Sequence, residues 1–497
     1  MNILLINIPS RKGEGGIFLP LGLLYVGGIL ERNGHNPKII DMYTNTVDSL
    51  DKMMEEFNPS IVGFGGISSS YGGTKQLSVY LKEKYPKVVQ IAGGPLASTY
   101  DLLLKNTNIS VVFHGEADIN LPIFLKRIES GEPFNDIKGI SYFSDGNAVR
   151  NPPEALIMNI DEIPYPAYYL VDISVYVLPV ETILGNYDAV LSHNSQLRKD
   201  VLKRIEGKNL RIPILASRGC TNRCFFCYRH VFGHRQHSVK YVIDHIKYLQ
   251  KEYNISGFLL GDELFNRSQE WVLEFCDAIE REKIDISYIV AGARIDKINE
   301  HMLLRLKQTG CIEILYGQES GSDIVLREYR KGVSRQQNKE ITKLTQDMGL
   351  MVTVQIVIGS PSETNETITD TINFLKECKC YMVSLNYLIP LPETPSWQYV
   401  IERGLIKDVE KYLDDVAEYG GTRMLVNLTK ESDEVVKSWY PRICYETTRN
   451  YYKFTNQLHL YVLYTLFGRT RKYFEPFLSN EAKSKIRNFL RKYHLRG

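Results

Sequence analysis

The stretch Cys220-Thr-Asn-Arg-Cys224-Phe-Phe-Cys227 carries three thiols at CxxxCxxC spacing. It follows the apolar run 212–217, which is typical of a buried strand, so the cysteines are expected on a loop at the carboxyl end of that strand. Three thiolates can bind three irons of a [4Fe–4S] cluster and leave the fourth iron open, whereas a cluster that only passes electrons is normally held by four cysteines. The spacing therefore predicts an iron–sulfur cluster with an iron free to bind a small molecule.

Other interpretations of the cysteines stay open. A structural zinc ion would need a fourth cysteine or histidine nearby, and His230, His234 and His237 follow the loop. Disulfides are less favoured, because eight cysteines in 497 residues is ordinary usage and the clustered trio is odd-numbered. Cys378 and Cys380 lack a third nearby ligand, so they indicate a second cluster only weakly.

Strand and helix patterns alternate regularly from residue 211 to residue 395. They predict six strand–helix units, which are too few to close an eight-stranded barrel and fit a partial (β/α)6 barrel with one open side. In barrels of this kind the functional side chains lie on loops that follow the strands. We therefore expect the cysteine loop and the polar residues after the later strands to share one face.

Residues 1–151 show a similar alternation of buried strands and amphipathic helices, which predicts a doubly wound, Rossmann-like parallel sheet. Ligands bind such sheets beyond the carboxyl ends of the strands, where the strand order reverses. Glycine-rich segments at 63–73 and 92–99 fall at such ends, and glycine there lets a ligand approach the backbone. Tight turns without a ligand are the alternative. Residues 152–210 are predicted to form a linker, and 396–497 a helical, aromatic-rich C-terminal cap.

The composition is that of a globular protein of two or three domains, with 43% hydrophobic residues and a net charge of +2. The segment 468–497 is strongly basic, and lipid contact, pairing with the acidic remainder and exposure to water are the hypotheses for it. No basic groove or RNA-binding module is visible, so nucleic acid is not an expected partner. The longest apolar stretch, 17–30, is too short to span a bilayer, and no signal peptide is visible, so we expect a reducing, cytoplasmic location.

The cysteine motif, with the aromatic Phe226 before its last thiol and Tyr228 after it, resembles the radical S-adenosylmethionine (SAM) superfamily. In that family the amino and carboxylate groups of SAM chelate the open iron, and reduction of the cluster cleaves SAM to methionine and a 5′-deoxyadenosyl radical. The resemblance implies that Cys220, Cys224 and Cys227 bind the cluster. It also implies a small-molecule substrate and an electron donor of the flavodoxin or ferredoxin type.

The same resemblance implies SAM-binding residues after successive strands of the barrel. Asp262 or Glu263 would pair with the SAM ammonium group, with helix capping as the alternative role. Arg294 would meet the SAM carboxylate in a forked contact. Glu319, in a Gly-x-Glu-Ser-Gly motif with Ser320 beside it, would accept hydrogen bonds from the ribose or the amine.

Contacts to adenine are implied at the last two strands. A G-x-P-x-E-T pattern, common in the cobalamin-type subfamily of radical SAM proteins, is present through Gly359 and Glu363. By this resemblance the segment would supply backbone and apolar contacts to adenine. The main chain between Tyr387 and Ile389 would read the edge of the adenine ring.

The element order of the first domain resembles the cobalamin-binding domain of the cobalamin-type radical SAM subfamily. The resemblance implies that the nucleotide tail of cobalamin is held by residues of two loops, namely Gly65, Ser68, Gly93, Gly94 and Ser98. The loop 9–16 lacks the histidine that binds cobalt in many cobalamin proteins, and Leu96 takes the place of a histidine found in some relatives. Cobalamin without a protein histidine on cobalt is therefore expected, and a domain that binds no cobalamin is the alternative.

The resemblance as a whole implies radical chemistry on an unactivated carbon, and cobalamin-dependent C-methylation is the leading hypothesis. A dehydratase, epimerase, cyclase or carbon–carbon coupling enzyme that uses no cobalamin is the alternative. An iron–sulfur or zinc scaffold is the non-enzyme alternative.

Overall fold

The structure, a computed structural model, describes residues 1–11, 18–179, 191, 194–208, 210–380 and 383–455. The first domain begins with the strands and helices that were expected from buried runs and amphipathic periods. Its elements are β1 (Asn2–Asn7), α1 (Leu21–Arg32), β2 (Asn36–Asp41), α2 (Val47–Phe57), β3 (Ile61–Gly65), α3 (Tyr71–Lys84), β4 (Val89–Gly93), α4 (Tyr100–Asn106), β5 (Ile109–Phe113), α5 (Asn120–Ser130), β6 (Ile140–Ser144) and β7 (Asn147–Arg150).

The first sheet has the strand order β2-β1-β3-β4-β5-β6-β7. Strands β1 to β5 are parallel, as predicted, and the hairpin β6–β7 adds two antiparallel strands at one edge. The order reverses between β1 and β3, so their carboxyl ends border the crevice where doubly wound sheets bind ligands.

The second sheet is the predicted open barrel. Its region contains β8 (Leu178–Pro179), α6 (Ser195–Ile205), β9 (Leu210–Ile214), β10 (Ser217–Arg218), β11 (Arg235–Gln236), α7 (Val239–Tyr253), β12 (Ile255–Leu260), α8 (Gln269–Arg281), β13 (Ser287–Ala293), α9 (Glu300–Gln308), β14 (Cys311–Glu319), α10 (Asp323–Glu328), α11 (Arg335–Asp347), β15 (Met351–Ile358), α12 (Asn365–Glu377) and β16 (Val383–Tyr387). The order is β16-β15-β14-β13-β12-β9-β8, with six parallel strands and β8 antiparallel at the edge. Because β9 and β16 lie far apart in this order, the sheet curls without closing.

The C-terminal helices are α13 (Pro395–Glu402), α14 (Val409–Tyr419) and α15 (Asp433–Phe454). Helix α15 packs against α12 and β16, where the buried Trp439 donates a hydrogen bond to Asn365 at 2.9 Å. Helix α14 instead contacts the first domain, since Leu413 lies in that domain's core and Glu410 accepts hydrogen bonds from Tyr71 and Lys75. The basic segment 468–497 lies outside the described residues.

Side-chain capping fixes where several barrel helices begin. Ser238, Ser268, Asn299, Ser334 and Thr364 each accept a hydrogen bond from the backbone N–H three residues later. Each such cap contributes on the order of 1 kcal/mol. Among the described helices, none is both long enough and apolar enough to cross a bilayer.

Candidate functional site

The cysteine loop follows β9 and is held by main-chain contacts from distant segments. The Phe225 N–H donates to the Tyr329 carbonyl at 3.1 Å, and the Phe225 carbonyl accepts from Ser396 N–H at 2.9 Å. The ring of Phe226 packs edge-on against Tyr329 at 5.1 Å. Cys220 forms an isolated bridge with Phe232 on the returning chain. The loop is therefore fixed at both its middle and its start.

All three loop cysteines are free thiols. Burial raises the pKa of Cys224, with partial opposition from Lys331; the pKa of Cys227 is also raised, although this residue is more exposed. A thiol that binds iron must give up its proton, so cluster binding at this loop would release protons. Across the described ranges, no three His, Cys, Asp or Glu side chains converge as a single metal ion would require. A [4Fe–4S] cluster does not require three ligands to meet at one metal ion, because each thiolate binds a different iron.

Asp262, just after β12, is almost fully buried and ties that strand to the start of the cysteine loop. One carboxylate oxygen accepts hydrogen bonds from Ala216 N–H at 3.0 Å and from the Ser217 hydroxyl at 2.6 Å. The other carboxylate oxygen is buried and has no hydrogen-bond partner among the residues that the structure describes. Burial raises the pKa of Asp262 to about 6. Glu263, the other predicted partner of the SAM ammonium, is exposed and lines a cavity described below.

Arg294 and Glu319 lie on the same side of the barrel as Cys224. Arg294 pairs with Asp296 at 2.6 Å, and Glu319 accepts a hydrogen bond from Lys331 at 2.8 Å. Burial favours the neutral amine, but Glu319 holds the pKa of Lys331 above its usual value. Both cations act on the Cys224 thiol electrostatically, so they lie near the cluster position. Lys331 was not predicted, because no local motif marks it.

Ser320 and Glu363 both have internal hydrogen bonds. The Ser320 hydroxyl lies 3.2 Å from the Thr371 hydroxyl of α12 and accepts from Ser322 N–H at 3.1 Å. One oxygen of the buried Glu363 accepts from the backbone N–H groups of Gly359 and Ser360. The second oxygen is buried without a partner, and burial raises the pKa of Glu363 to about 7. Both side chains thus shape the loops after β14 and β15, and their contacts to SAM stay predictions.

Tyr387 ends β16 with its side chain directed at the C-terminal helix. Its hydroxyl lies 3.4 Å from the Val436 carbonyl, and its ring stacks on Tyr440 at 5.6 Å. The next residue, Leu388, donates its N–H to the Ile358 carbonyl at 2.7 Å. Ile389 is half-buried just beyond. Contact between adenine and the main chain of this segment stays a prediction, and the Leu388 N–H already has a partner.

A cavity of about 470 Å³ lies at the switch point of the first sheet and extends to the barrel. Its floor includes the backbone of Gly65, Gly93 and Gly94 at the ends of β3 and β4. A Cβ at Gly65 would lie 2.5 Å from a methyl carbon of Leu23, so position 65 has no room for a side chain unless Leu23 moves. Of the predicted residues, Ser68 and Ser98 do not line the cavity, and the Ser98 hydroxyl donates to the Pro95 carbonyl at 2.9 Å.

The walls of this cavity differ in character between the two domains. On the first domain they are largely aliphatic and aromatic, formed by Leu5, Leu21, Leu23, Val26, Phe64 and Phe113. On the barrel side they include Ser217 to Gly219, the residues that lead directly into Cys220. A single space therefore joins the glycine floor to the cysteine loop, and the residues present fit cobalamin.

A buried arginine, Arg235, and a half-buried one, Arg218, connect the domains beside this cavity. Arg235 forms a forked pair with Glu116, with distances of 2.5 and 2.8 Å. Arg218 pairs with Asp118 at 3.0 Å, and its guanidinium lies 4.8 Å from the ring of Tyr25. No local sequence pattern pairs these carboxylates with arginines that lie about 100 residues later in the chain.

The three histidines after the cysteine loop separate in the structure. His234 lies 2.9 Å from the Leu264 carbonyl, and His237 lies 3.0 Å from Asp161 and stacks on Tyr241. His230 lines the cavity, and its Nδ1 is shielded from solvent without a partner.

Comparison with known proteins agrees with this architecture. Residues 214–375 match the model of the radical SAM superfamily, and residues 14–125 match that of the B12 binding domain. An uncharacterized methyltransferase of Pyrococcus horikoshii is 28% identical over 417 residues, which cover 82% of this chain and 84% of that protein. An anaerobic magnesium-protoporphyrin IX monomethyl ester cyclase of Rubrivivax gelatinosus is 24% identical, over 83% of this chain and 72% of that one.

Among solved structures, the fold resembles TsrM of Kitasatospora setae, a radical SAM methyltransferase with cobalamin and a [4Fe–4S] cluster bound. The TM-score is 0.63 at 18% identity, and the likeness covers 81% of this chain and 75% of TsrM. At this identity the likeness shows the fold alone. The superfamily match implies a [4Fe–4S] cluster and SAM, and the B12-binding match indicates cobalamin. The chain belongs to the radical SAM superfamily and carries a B12-binding domain in front of its catalytic barrel.

Proposed function

We propose that this protein transfers a methyl group to an unactivated carbon of a small-molecule substrate. The observation that carries the proposal is the continuous cavity between the glycine floor of the first domain and the residues that lead into Cys220. A methyl donor held on that floor would lie next to the site where radicals form. When bound, the cluster supplies an electron that cleaves SAM, and cobalamin supplies the methyl group.

The residues of this chain have separate tasks in the proposal. Cys220, Cys224 and Cys227 hold the cluster. Arg294 and the pair Glu319–Lys331 offer opposite charges near Cys224, which suits a zwitterion such as the amino acid end of SAM. Because these charges are fixed by hydrogen bonds before SAM arrives, little reorganisation is needed on binding.

The relatives support methyl transfer and also define its alternative. The Pyrococcus horikoshii protein is described as a methyltransferase, whereas the Rubrivivax gelatinosus protein is described as a cyclase. A cyclase would use the same radical initiation without moving a methyl group. The fate of the SAM methyl group therefore separates the two hypotheses.

The test begins with anaerobic reconstitution with iron, sulfide and hydroxocobalamin. We expect about one cobalt per chain and, with SAM carrying a deuterated methyl group and a reductant, labelled methylcobalamin and S-adenosylhomocysteine. Failure to bind cobalamin, or binding without any methyl transfer from SAM to cobalt, would refute methylation and favour the alternative.

A second measurement tests radical initiation itself. With dithionite and SAM we expect methionine and 5′-deoxyadenosine, products that a scaffold protein would not release. Replacement of all three loop cysteines by alanine should abolish both the iron and these products. Cys276→Ala is the matched control, because Cys276 is buried in the barrel core away from the loop. Products from the triple variant would contradict the ligand assignment.

A further inference from the structure

A cationic surface surrounds an exposed phenylalanine beside the cysteine loop. Phe232 is 55% exposed. The guanidinium of Arg223 lies 5.0 Å from its ring centroid, and that of Arg229 lies 5.3 Å away. Arg267 is also exposed, and its guanidinium donates a hydrogen bond to the Thr221 hydroxyl of the cysteine loop at 3.3 Å. We call these four residues, Arg223, Arg229, Phe232 and Arg267, the Arg–Phe surface.

This surface contacts the cluster loop directly. The Phe232 main chain bridges to Cys220, and Arg229 donates to the Asn222 carbonyl at 2.7 Å. Asn222 in turn places its N–H and side-chain amide 3.5 and 3.4 Å from the Cys220 sulfur. A molecule that covered the Arg–Phe surface would therefore lie one layer of residues from the first cluster ligand.

The surface carries an excess of positive charge. Within the described residues, none of its three arginines forms an ion pair at 4.0 Å or less, and Glu263 is the carboxylate whose pKa responds to Arg229. The preceding residues His230 and Val231 turn the opposite way and line the cofactor cavity. One side of this segment thus faces the cofactor, and the other presents cations and one aromatic ring to solvent. Arginine and aromatic residues together are typical of protein interfaces, where the ring gives affinity and the charges select the partner.

We propose that the Arg–Phe surface docks an acidic one-electron carrier protein, such as a flavodoxin or a ferredoxin, that reduces the cluster. In the step that it serves, one electron leaves the reduced carrier and enters the oxidised cluster, so the carrier is oxidised by one electron and the cluster is reduced by one. The inference rests on the radical SAM chemistry of the proposed function and is independent of methyl transfer. Its readout is 5′-deoxyadenosine, so either proposal can fail alone.

The test compares two ways of reducing the reconstituted protein. The double variant Arg223→Glu/Arg267→Glu reverses two exposed charges without touching a cysteine. With an acidic flavodoxin, NADPH and its reductase at low salt, we expect 5′-deoxyadenosine formation at subsaturating flavodoxin to fall about tenfold or more. With dithionite, which needs no docking, the rate should equal that of the wild-type protein. A ferredoxin should give the same pattern as flavodoxin.

Matched controls separate docking from damage. Arg281→Glu reverses another exposed arginine, at the far end of α8, and should leave both rates unchanged. Phe232→Ser should weaken flavodoxin-driven turnover while preserving its salt dependence. High salt should reduce the difference between the charge-reversal variant and the wild-type protein, because the Debye length is about 3 Å at 1 M. Wild-type turnover by the double variant with both carriers would overturn the proposal. An equal loss with dithionite would also overturn it, since the loss would then lie in the cluster.

Discussion

Replacement of Arg235 by methionine should loosen the connection between the two domains. Arg235 is only 6% exposed and donates two hydrogen bonds to Glu116 and one to the Ile157 carbonyl at 2.8 Å. Its loss would leave Glu116 buried, with Arg218 at 3.6 Å as its nearest cation. Breaking a buried pair typically costs 3–5 kcal/mol, and because Arg218 remains we expect about 3 kcal/mol here. For a domain of this size that corresponds to a fall of about 6–12 °C in the unfolding midpoint.

Thermal unfolding of the protein without cofactors measures the effect, and pH tests its cause. Burial opposes ionisation of Glu116, but Arg235 and Arg218 hold its pKa below the usual 4.5. The stabilisation is therefore present above pH 4.5 and is lost as the pH falls through the lower folded-state pKa. The difference between wild type and Arg235→Met should shrink over that range. The double variant Glu116→Gln/Arg235→Met should recover much of the loss, and a double variant no better than the single one would refute this reasoning.

Three further changes have defined outcomes. Gly65→Val should block cobalamin binding without loss of iron, because even a Cβ there would lie 2.5 Å from Leu23; normal cobalt content in the variant would show that the cavity holds something else. Burial raises the folded-state pKa of Glu363 to about 7, so the folded wild-type protein binds this proton more tightly, and its free energy of unfolding should fall by about 3 kcal/mol between pH 4.5 and 7. In Glu363→Gln this fall should disappear. Parallel pH profiles of the two proteins would argue against this. Gly292→Ala should destabilise the barrel by more than about 2 kcal/mol in denaturant unfolding, because φ is +69° and its Cβ would lie 2.0 Å from the Asp262 carbonyl oxygen; an unchanged midpoint would contradict that contact.

The sequence was most informative where local patterns decide the structure. Helices α2 and α4 belong to the predicted alternation of the first domain, and α14 to the predicted helical cap, because apolar spacing and end residues are local signals. The parallel strands were also predicted, since strands buried on both faces read as continuous apolar runs. The hairpin β6–β7 was missed, although Asp145-Gly146, with φ of +50° and +79°, is a strong turn signal between its strands.

Long-range contacts decided what the sequence could not predict. Arg218 and Asp118 are 100 residues apart, and no local pattern pairs them. The Ser320 motif was recognised, but its hydroxyl is directed to Thr371 by the packing of α12. Lys331 reaches Glu319 only because the chain returns after α10. Local motifs therefore predict which residues form the candidate site, whereas the fold determines which hydrogen-bond partners their side chains have.

The position of Arg218 links the cysteine loop to the first domain. It holds Asp118 of the first domain and stands two residues before Cys220, on the strand that leads into the thiol loop. Because main-chain hydrogen bonds already hold that loop, Arg218 keeps one wall of the cavity against the first domain before either cofactor binds.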